Sequence, residues 1–331
     1  MPEYRQDPLS RRWVIIGGDR AGRPNEFVEA TVRQSTLLCP FCVGNETETP
    51  EAVATYPANG KGGWTVRVVP NKYPAVTPDA SACPTCQPLS PVVVSAAVPG
   101  FGRHEVIIES PRHVASLSEL TSAEAEAVFT VYRERLAQLK AEGRFRYVQI
   151  FKNVGSSAGA SLEHVHSQLV ALPGVPEVVQ QELTASAEHF QQHKKSLLPE
   201  IIANELAAAS RIVGETQNLV AFCPYASRVA YEVWVAPRQH SPRFEDAKPG
   251  ELGELARIMR DVIGRIERAV GQSAYNYFLH TQPFDMPAAD HYHWHIEILP
   301  RLTKLAGFEW GTGCFINPFL PEACAEHLRT V

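Results

Sequence analysis

Residues 153–168 read N-V-G-S-S-A-G-A-S-L-E-H-V-H-S-Q, and residues 293–302 read H-W-H-I-E-I-L-P-R-L. In each, an H-x-H pair stands at an apolar, β-type run: Gln168 to Leu172 in the first, His293 to Leu299 in the second. Moving outward, β-rich runs precede both, Arg146 to Phe151 and Tyr275 to Leu279. Before these come stretches of helical character. Thr121 to Glu142 carries Ala125, Phe129, Tyr132, Leu136 and Leu139 at helical spacing and ends at Gly143; Glu251 to Val270 is its counterpart. Earlier still, Glu105 to Glu109 reads as a strand ended by Ser110-Pro111, and Val229 to Val235 as one ended by Ala236-Pro237. His113 follows S-P-R and His240 follows P-R-Q, and the spacings agree: 53 positions from His113 to His166, 55 from His240 to His295. The pattern predicts an internal duplication of a strand–strand–helix–strand–strand unit. The first hundred residues, rich in Pro and Gly, read as loops with a few strands, among them Trp64 to Val69 and Pro91 to Val98.

The chain has 331 residues, enough for one large domain or two of roughly 150. A net charge of -5 and a pI near 6.2 supply no basic field, which argues against a nucleic-acid partner. An anionic ligand must therefore be held by locally placed Arg, Lys and backbone N–H groups. The N-terminus has no apolar leader region, and no run reaches the ~18 apolar residues of a spanning helix, so the expected location is the cytoplasm.

Seven cysteines suit a disulfide framework poorly. Four form two C-x-x-C pairs, Cys39/Cys42 and Cys83/Cys86, a spacing that reads as metal chelation or redox chemistry. Cys223, Cys314 and Cys324 read as inert buried thiols. C-P-F-C at 39–42 offers two thiolates one tight turn apart, as a tetrahedral ion needs. His113 and His164 are the candidates for the other two ligands. Cys83 and Cys86 are a rival pair with no identified partners.

The loop from Asn153 to Ser161 has Gly155 and Gly159, where backbone N–H groups can approach a phosphate, and Ser156, Ser157 and Ser161 beside them. It feeds a strand on which His164 and His166, two apart, share a face. A neutral histidine is a competent nucleophile at phosphorus. Gln168 bears on the reaction type. Its amide can donate a hydrogen bond to a phosphate oxygen but cannot give up a proton. Expelling a sugar phosphate or pyrophosphate needs no acid, so Gln168 favours transfer between phosphates over hydrolysis.

At these residues the chain resembles the galactose-1-phosphate uridylyltransferase family of the histidine-triad superfamily. The resemblance rests on C-P-F-C, S-P-R-H at 110–113, the N-x-G-x-x-x-G-A-S loop, H-V-H-S-Q, F-L-H-T-Q-P-F at 278–284 and H-W-H-I-E-I-L-P-R-L. It implies an α+β fold of two histidine-triad-like repeats, mostly antiparallel sheet with packed helices. Residues 1–199 would form the repeat with the zinc region and catalytic loop, and 200–331 the second repeat. It also implies a homodimer acting on nucleotide sugars and sugar phosphates, with Zn2+ on Cys39, Cys42, His113 and His164. His166 would be the nucleophile of a ping-pong reaction that transfers UMP from UDP-glucose to galactose 1-phosphate, with Gln168 and Ser161 also catalytic. Arg20, Arg23, Asn71, Asn153, Gly159, Ser161 and Gln168 match substrate-binding positions.

Several positions depart from the family pattern. Lys72 replaces the acid that usually follows Asn71. Val165 stands for a proline and Ser167 for a glycine. Glu297 replaces a histidine in a second metal site whose other members are Glu182, His280 and His295. The end of the chain, G-F-E-W-G-T-G-C-F-I-N-P at 307–318, looks closer to a branch with plant-type ADP-glucose phosphorylases. That leaves a phosphorylase acting on ADP-glucose or a dinucleoside polyphosphate as the alternative. A zinc-stabilised nucleotide-binding module without activity is a third.

Overall fold

The computed structural model describes residues 2–17, 38–57, 63–78, 99–271 and 274–331. Arg20, Arg23, Cys83, Cys86 and the run Pro91 to Val98 lie outside the described residues. The elements, in chain order, are β1 (Glu3–Gln6), β2 (Trp13–Ile16), β3 (Ala54–Pro57), β4 (Trp64–Pro70), β5 (Arg103–Ile108), α1 (Ser122–Ala141), β6 (Tyr147–Val154) and β7 (His166–Leu172). Then come α2 (Glu177–His193), α3 (Leu197–Ala208), β8 (Ile212–Glu215), β9 (Leu219–Phe222), β10 (Val233–Pro237), α4 (Pro249–Val270), β11 (Tyr275–His280) and β12 (His295–Pro300). The chain closes with α5 (Gly307–Thr312), β13 (Phe315–Asn317) and α6 (Pro321–Thr330).

The fold is α+β. Among the described residues one antiparallel sheet of ten strands runs β3-β4-β5-β7-β6-β11-β12-β10-β9-β8. That order is a palindrome about the β6–β11 pair, so two copies of one unit join edge to edge. Each copy has three strands, a helix and two strands, one strand more than the sequence pattern predicts. The short β3 and β8 are the additions. No helix among the described residues is long and apolar enough to cross a membrane.

Period-2 alternation gives the sheet two different faces. Ile107, Val148, Ile150, Leu169, Ala171, Tyr277, Leu279, Ile296 and Ile298 point to one side. There they pack with Phe129, Leu136, Met259 and Val262 of α1 and α4 in the main core. Helix α1 starts where Thr121 Oγ1 accepts from Glu124 N–H (3.2 Å) while Glu124 accepts from Thr121 N–H (2.7 Å). Such a reciprocal cap is worth ~1 kcal/mol.

The opposite face carries His166, Gln168, His295 and Glu297. Over the second copy and the start of β6 it is covered: Leu198 and Ile202 of α3 pack on Phe222 and Trp234, and Val179 and Leu183 of α2 on Tyr147 and Tyr292. The sequence pattern gave no landmark for these two helices. In α2 the buried face includes Glu182 and Ser186, which break the apolar spacing. The strand expected over Val229 to Val235 begins only at Val233, because residues 229–232 form a turn closed by Glu232 N–H on Val229 C=O (3.3 Å).

Candidate active site

Cys39 and Cys42 lie in a turn closed by Cys42 N–H donating to Cys39 C=O (3.2 Å), which turns both sulfurs the same way. His113 follows β5 and His164 precedes β7, so the sheet pairing of β5 with β7 brings the two imidazoles together. The ligand atoms of all four residues lie within 4.8 Å of one another. Cys39 Sγ is 3.5 Å and Cys42 Sγ 3.6 Å from His164 Nδ1, and Cys42 Sγ is 3.4 Å from His113 Nδ1. A tetrahedral zinc with Zn–S of ~2.3 Å and Zn–N of ~2.0–2.1 Å sets sulfur and nitrogen about 3.6 Å apart. The donor set therefore fits that ion. His164 Nε2 donates to Ser110 C=O (2.8 Å), leaving the Nδ1 lone pair for the metal side. Burial holds the His164 pKa down at about 4, against the Ser110 contact, so the ring is neutral, as a ligand must be. Burial and then the neighbouring Cys39 push Cys42 up to about 11, a pair that becomes thiolate only against a cation.

Two positions on, His166 is built differently. Its Nδ1–H donates to the His164 carbonyl (2.6 Å), which places the lone pair on Nε2. Nε2 makes no hydrogen bond among the described residues. Burial first, and then the positive charge of Lys152, lowers the His166 pKa against the pull of the His164 carbonyl. A neutral imidazole with a free Nε2, 7% exposed, is the form that attacks phosphorus. The ring of Phe41 lies edge-on to that of His166 at 5.2 Å between centroids, so the Cys39–Cys42 turn also packs against His166.

Beneath the strand, on the helix face, lies an ionic network that the motifs did not reveal. The wholly buried Lys152 pairs with Glu109 and donates to the His166 carbonyl (3.1 Å). Tyr132 of α1 donates to Glu109 (2.9 Å) and lies 2.7 Å from both Ser167 Oγ and Tyr277 Oη. These contacts tie β6, β7, α1, β11 and the end of β5 to the backbone of His166. Lys152 carries no motif, since a lone lysine in a β-type run reads as solvated surface.

The Gly/Ser loop arches between β6 and β7. Gly155 sits at φ 81°, ψ 154° and Gly159 at φ 85°, ψ 15°. The loop is held from the second copy: Asn276 of β11 donates to Asn153 Oδ1 (2.8 Å) and to Ala158 C=O (2.9 Å). Ser156, Ser157, Gly159 and Ser161 are exposed beside His166's strand. Gly155 occupies a backbone region closed to other residues, and a Cβ there would lie 2.7 Å from Ala274 Cβ. Gly155→Ala is therefore expected to cost about 1–3 kcal/mol in urea unfolding. It should also slow phosphate-directed chemistry, because the loop must shift off Asn276.

Gln168 shares the face of His166. Its Oε1 accepts from His104 Nε2 (2.8 Å) and, more weakly, from Asn71 Nδ2 (3.4 Å). Asn71 Nδ2 lies 3.1 Å from the same His104 nitrogen. The structure thus unites His166, Gln168 and Asn71 on one face, with Asn153 at the end of β6 and Gly159 and Ser161 on the adjoining loop. His104 was not among the residues expected from sequence. Its strand parity with Val106 and Ile108, which pair with Gln168 and His166, is the signal that places it there.

The second copy repeats this geometry 129 positions later but closes it. His293 Nε2 donates to Pro237 C=O (2.8 Å) as His164 does to Ser110, and His295 Nδ1 faces the His293 carbonyl at 3.3 Å. Here Ser241 N–H donates to His293 Nδ1 (3.1 Å), the atom that would bind metal. Glu297 stands where Gln168 stands in the first copy. Burial works against protonating His295, but the Glu297 hydrogen bond and the charges of Glu182 and Glu297 outweigh it and raise its pKa. Burial opposes ionising Glu297 too, yet Arg228 above all holds it well below the usual carboxylate range. His295, wholly buried under Trp234 (5.1 Å), has neither the free nitrogen nor the access of His166.

Glu182, His280, His295 and Glu297 do converge, their ligand atoms within 4.8 Å, with Glu182 2.9 Å from His280 Nδ1. Two imidazoles and two carboxylates are a donor set for a divalent first-row metal. In this chain Arg228 also pairs with Glu297, placing a fixed positive charge at one end of the cluster.

The family model for the N-terminal domain of galactose-1-phosphate uridyl transferase matches residues 1–176, and a domain of unknown function, DUF4921, matches 100–330. ADP-glucose phosphorylase of Arabidopsis thaliana is 35% identical over 338 residues, spanning 100% of this chain and 93% of that protein. Galactose-1-phosphate uridylyltransferase of Thermotoga maritima is 27% identical, spanning 99% of this chain and 98% of that one. The crystal structure of an ADP-glucose phosphorylase from Arabidopsis thaliana with bound ADP-glucose superposes with a TM-score of 0.87 at 32% identity, over 100% of this chain and 99% of the other. Whole-chain similarity of this extent agrees with the duplicated sheet, the Cys/His centre and the one open H-x-H-x-Q face: the protein is a transferase and belongs to the galactose-1-phosphate uridylyltransferase family.

Proposed function

We propose that Nε2 of His166 attacks the α-phosphorus of a nucleotide sugar and carries the nucleotidyl group to an acceptor. In the first half-reaction an N–P bond forms and the P–O bond to the sugar phosphate breaks. The sugar 1-phosphate leaves with the electron pair as a stable anion, so no proton donor is required. The acceptor's phosphate oxygen then displaces His166. The observation that carries the reading is the Nδ1–H bond of His166 to the His164 carbonyl at 2.6 Å, which leaves Nε2 as the free nucleophilic atom on the open face. In this reading Gln168, Asn71, Asn153, Gly159 and Ser161 contact the nucleotide and its phosphates. Zinc on Cys39, Cys42, His113 and His164 anchors the segment that packs Phe41 on the nucleophile.

UDP-glucose is the donor and galactose 1-phosphate the acceptor, a choice supported by the N-terminal family match and the Thermotoga maritima relative. A second reading, ADP-glucose as donor and phosphate as acceptor, is favoured by the higher identity and TM-score of the Arabidopsis thaliana phosphorylase. Incubating the protein with each nucleotide sugar alone, then adding each acceptor, separates them by intact mass. The first reading expects a uridylyl adduct that galactose 1-phosphate discharges. An adenylyl adduct discharged by phosphate selects the second. If neither donor leaves an adduct, covalent transfer is wrong.

A further inference from the structure

We propose that His104 is a positioning residue that fixes the side-chain amide of Gln168 with its NH2 end turned to the transferred phosphate. The inference rests on the covalent transfer proposed above. Ala75 N–H donates to His104 Nδ1 (3.1 Å), so Nδ1 carries the lone pair of a neutral imidazole. Nε2 therefore bears the hydrogen and donates to Gln168 Oε1 (2.8 Å). Were the Gln168 amide reversed, its NH2 would face that N–H and two donors would meet. The Asn71 amide is fixed as well: its Oδ1 accepts from Tyr73 N–H (2.8 Å), so Nδ2, although 3.1 Å from His104 Nε2, is a donor that converges with that N–H on Gln168 Oε1 (3.4 Å). Two donors on one oxygen leave only the Gln168 NH2 to face a substrate oxygen on the side of His166.

The second copy supports a bracing role for this position. Glu297, the counterpart of Gln168, is likewise held from the neighbouring strand region. Arg228 bridges it to Glu232, which also accepts from Trp234 Nε1 (2.9 Å). In both copies the side chain two residues after the closing histidine is pinned from the β5 or β10 side. Only in the first copy does the pin leave hydrogen-bond donors pointing outward.

The test is the single-turnover rate of adduct formation, using whichever of UDP-glucose and ADP-glucose charges the unsubstituted protein. His104→Ala is expected to slow charging about tenfold while changing the donor concentration for half-maximal rate by less than about threefold, as loss of orientation rather than of binding does. His104→Gln, whose amide can donate to Gln168 Oε1, should recover most of the rate. In a Gln168→Ala background, His104→Ala should cost less than about threefold, since there is no amide left to orient. Charging of His104→Ala at the unsubstituted rate overturns the proposal, as does an equal loss in the Gln168→Ala background. Failure of the unsubstituted protein to charge would instead dismiss the covalent reading itself.

Discussion

His166→Ala is expected to abolish the covalent adduct and to lower turnover by on the order of 10⁵-fold or more, the scale seen when a catalytic nucleophile is removed. The size follows from the absence of a substitute. His164 lies two residues away, but its Nδ1 is 3.5–3.6 Å from two sulfurs and its Nε2 is committed to Ser110, so neither nitrogen is free to attack. His104 is committed at both nitrogens, to Ala75 and Gln168. The substitution should spare the fold. The bond it removes is local, within H-x-H, and Lys152 still holds the residue 166 carbonyl from below. Loss of adduct with an unchanged unfolding transition separates this outcome from misfolding. Adduct formation at a normal rate by the alanine variant would refute the assignment of the nucleophile.

The second large effect concerns the metal centre. Cys42→Ser, or prolonged chelation, is expected to release one equivalent of zinc per chain and to destabilise the N-terminal copy by several kcal/mol, given that structural zinc supplies roughly 10–16 kcal/mol in small domains. Cys39, Phe41, Trp64, Val69, Val106 and Ile108 form a separate small cluster, with the metal turn as one of its walls. Without the ion, the buried Cys39, the half-buried Cys42 and two imidazoles would have no common centre to ligate, and the turn would lose its reason to close on β5 and β7. Elemental analysis before and after substitution, with the unfolding midpoint of each form, tests this. Retention of one zinc by Cys42→Ser, with an unmoved midpoint, would mean that the ion sits elsewhere.

The duplicated architecture was legible because its signals are local. Helical spacing in 121–142 and 251–270, strand runs ended by proline, and two H-x-H pairs at matched distances each report one element. The convergence of Cys39, Cys42, His113 and His164 was legible for the same reason, since C-P-F-C and histidines at repeat-equivalent places restrict the choice strongly. Less visible was what depends on one side chain meeting another across strands. His104 is one histidine in a β-type run, and only its pairing opposite the β7 strand gives it a partner. Lys152 reads as polar surface until Glu109 and the helix face enclose it. Helices α2 and α3, which cover the second copy and the start of β6, were hidden because their buried faces include charged residues such as Glu182 and Glu205. Which copy carries the reaction therefore rests on burial as well as on motif.

Peptide-level mass spectrometry under alkaline conditions, where phosphoramidates survive, tests the central claim most directly. After incubation with UDP-glucose or ADP-glucose and rapid digestion, the account predicts one nucleotidyl group, on the peptide containing His166 and assigned by fragmentation to that residue. A nucleotidyl group found on His164, on Ser161 or on the second-copy histidines, with His166 unmodified, would contradict it.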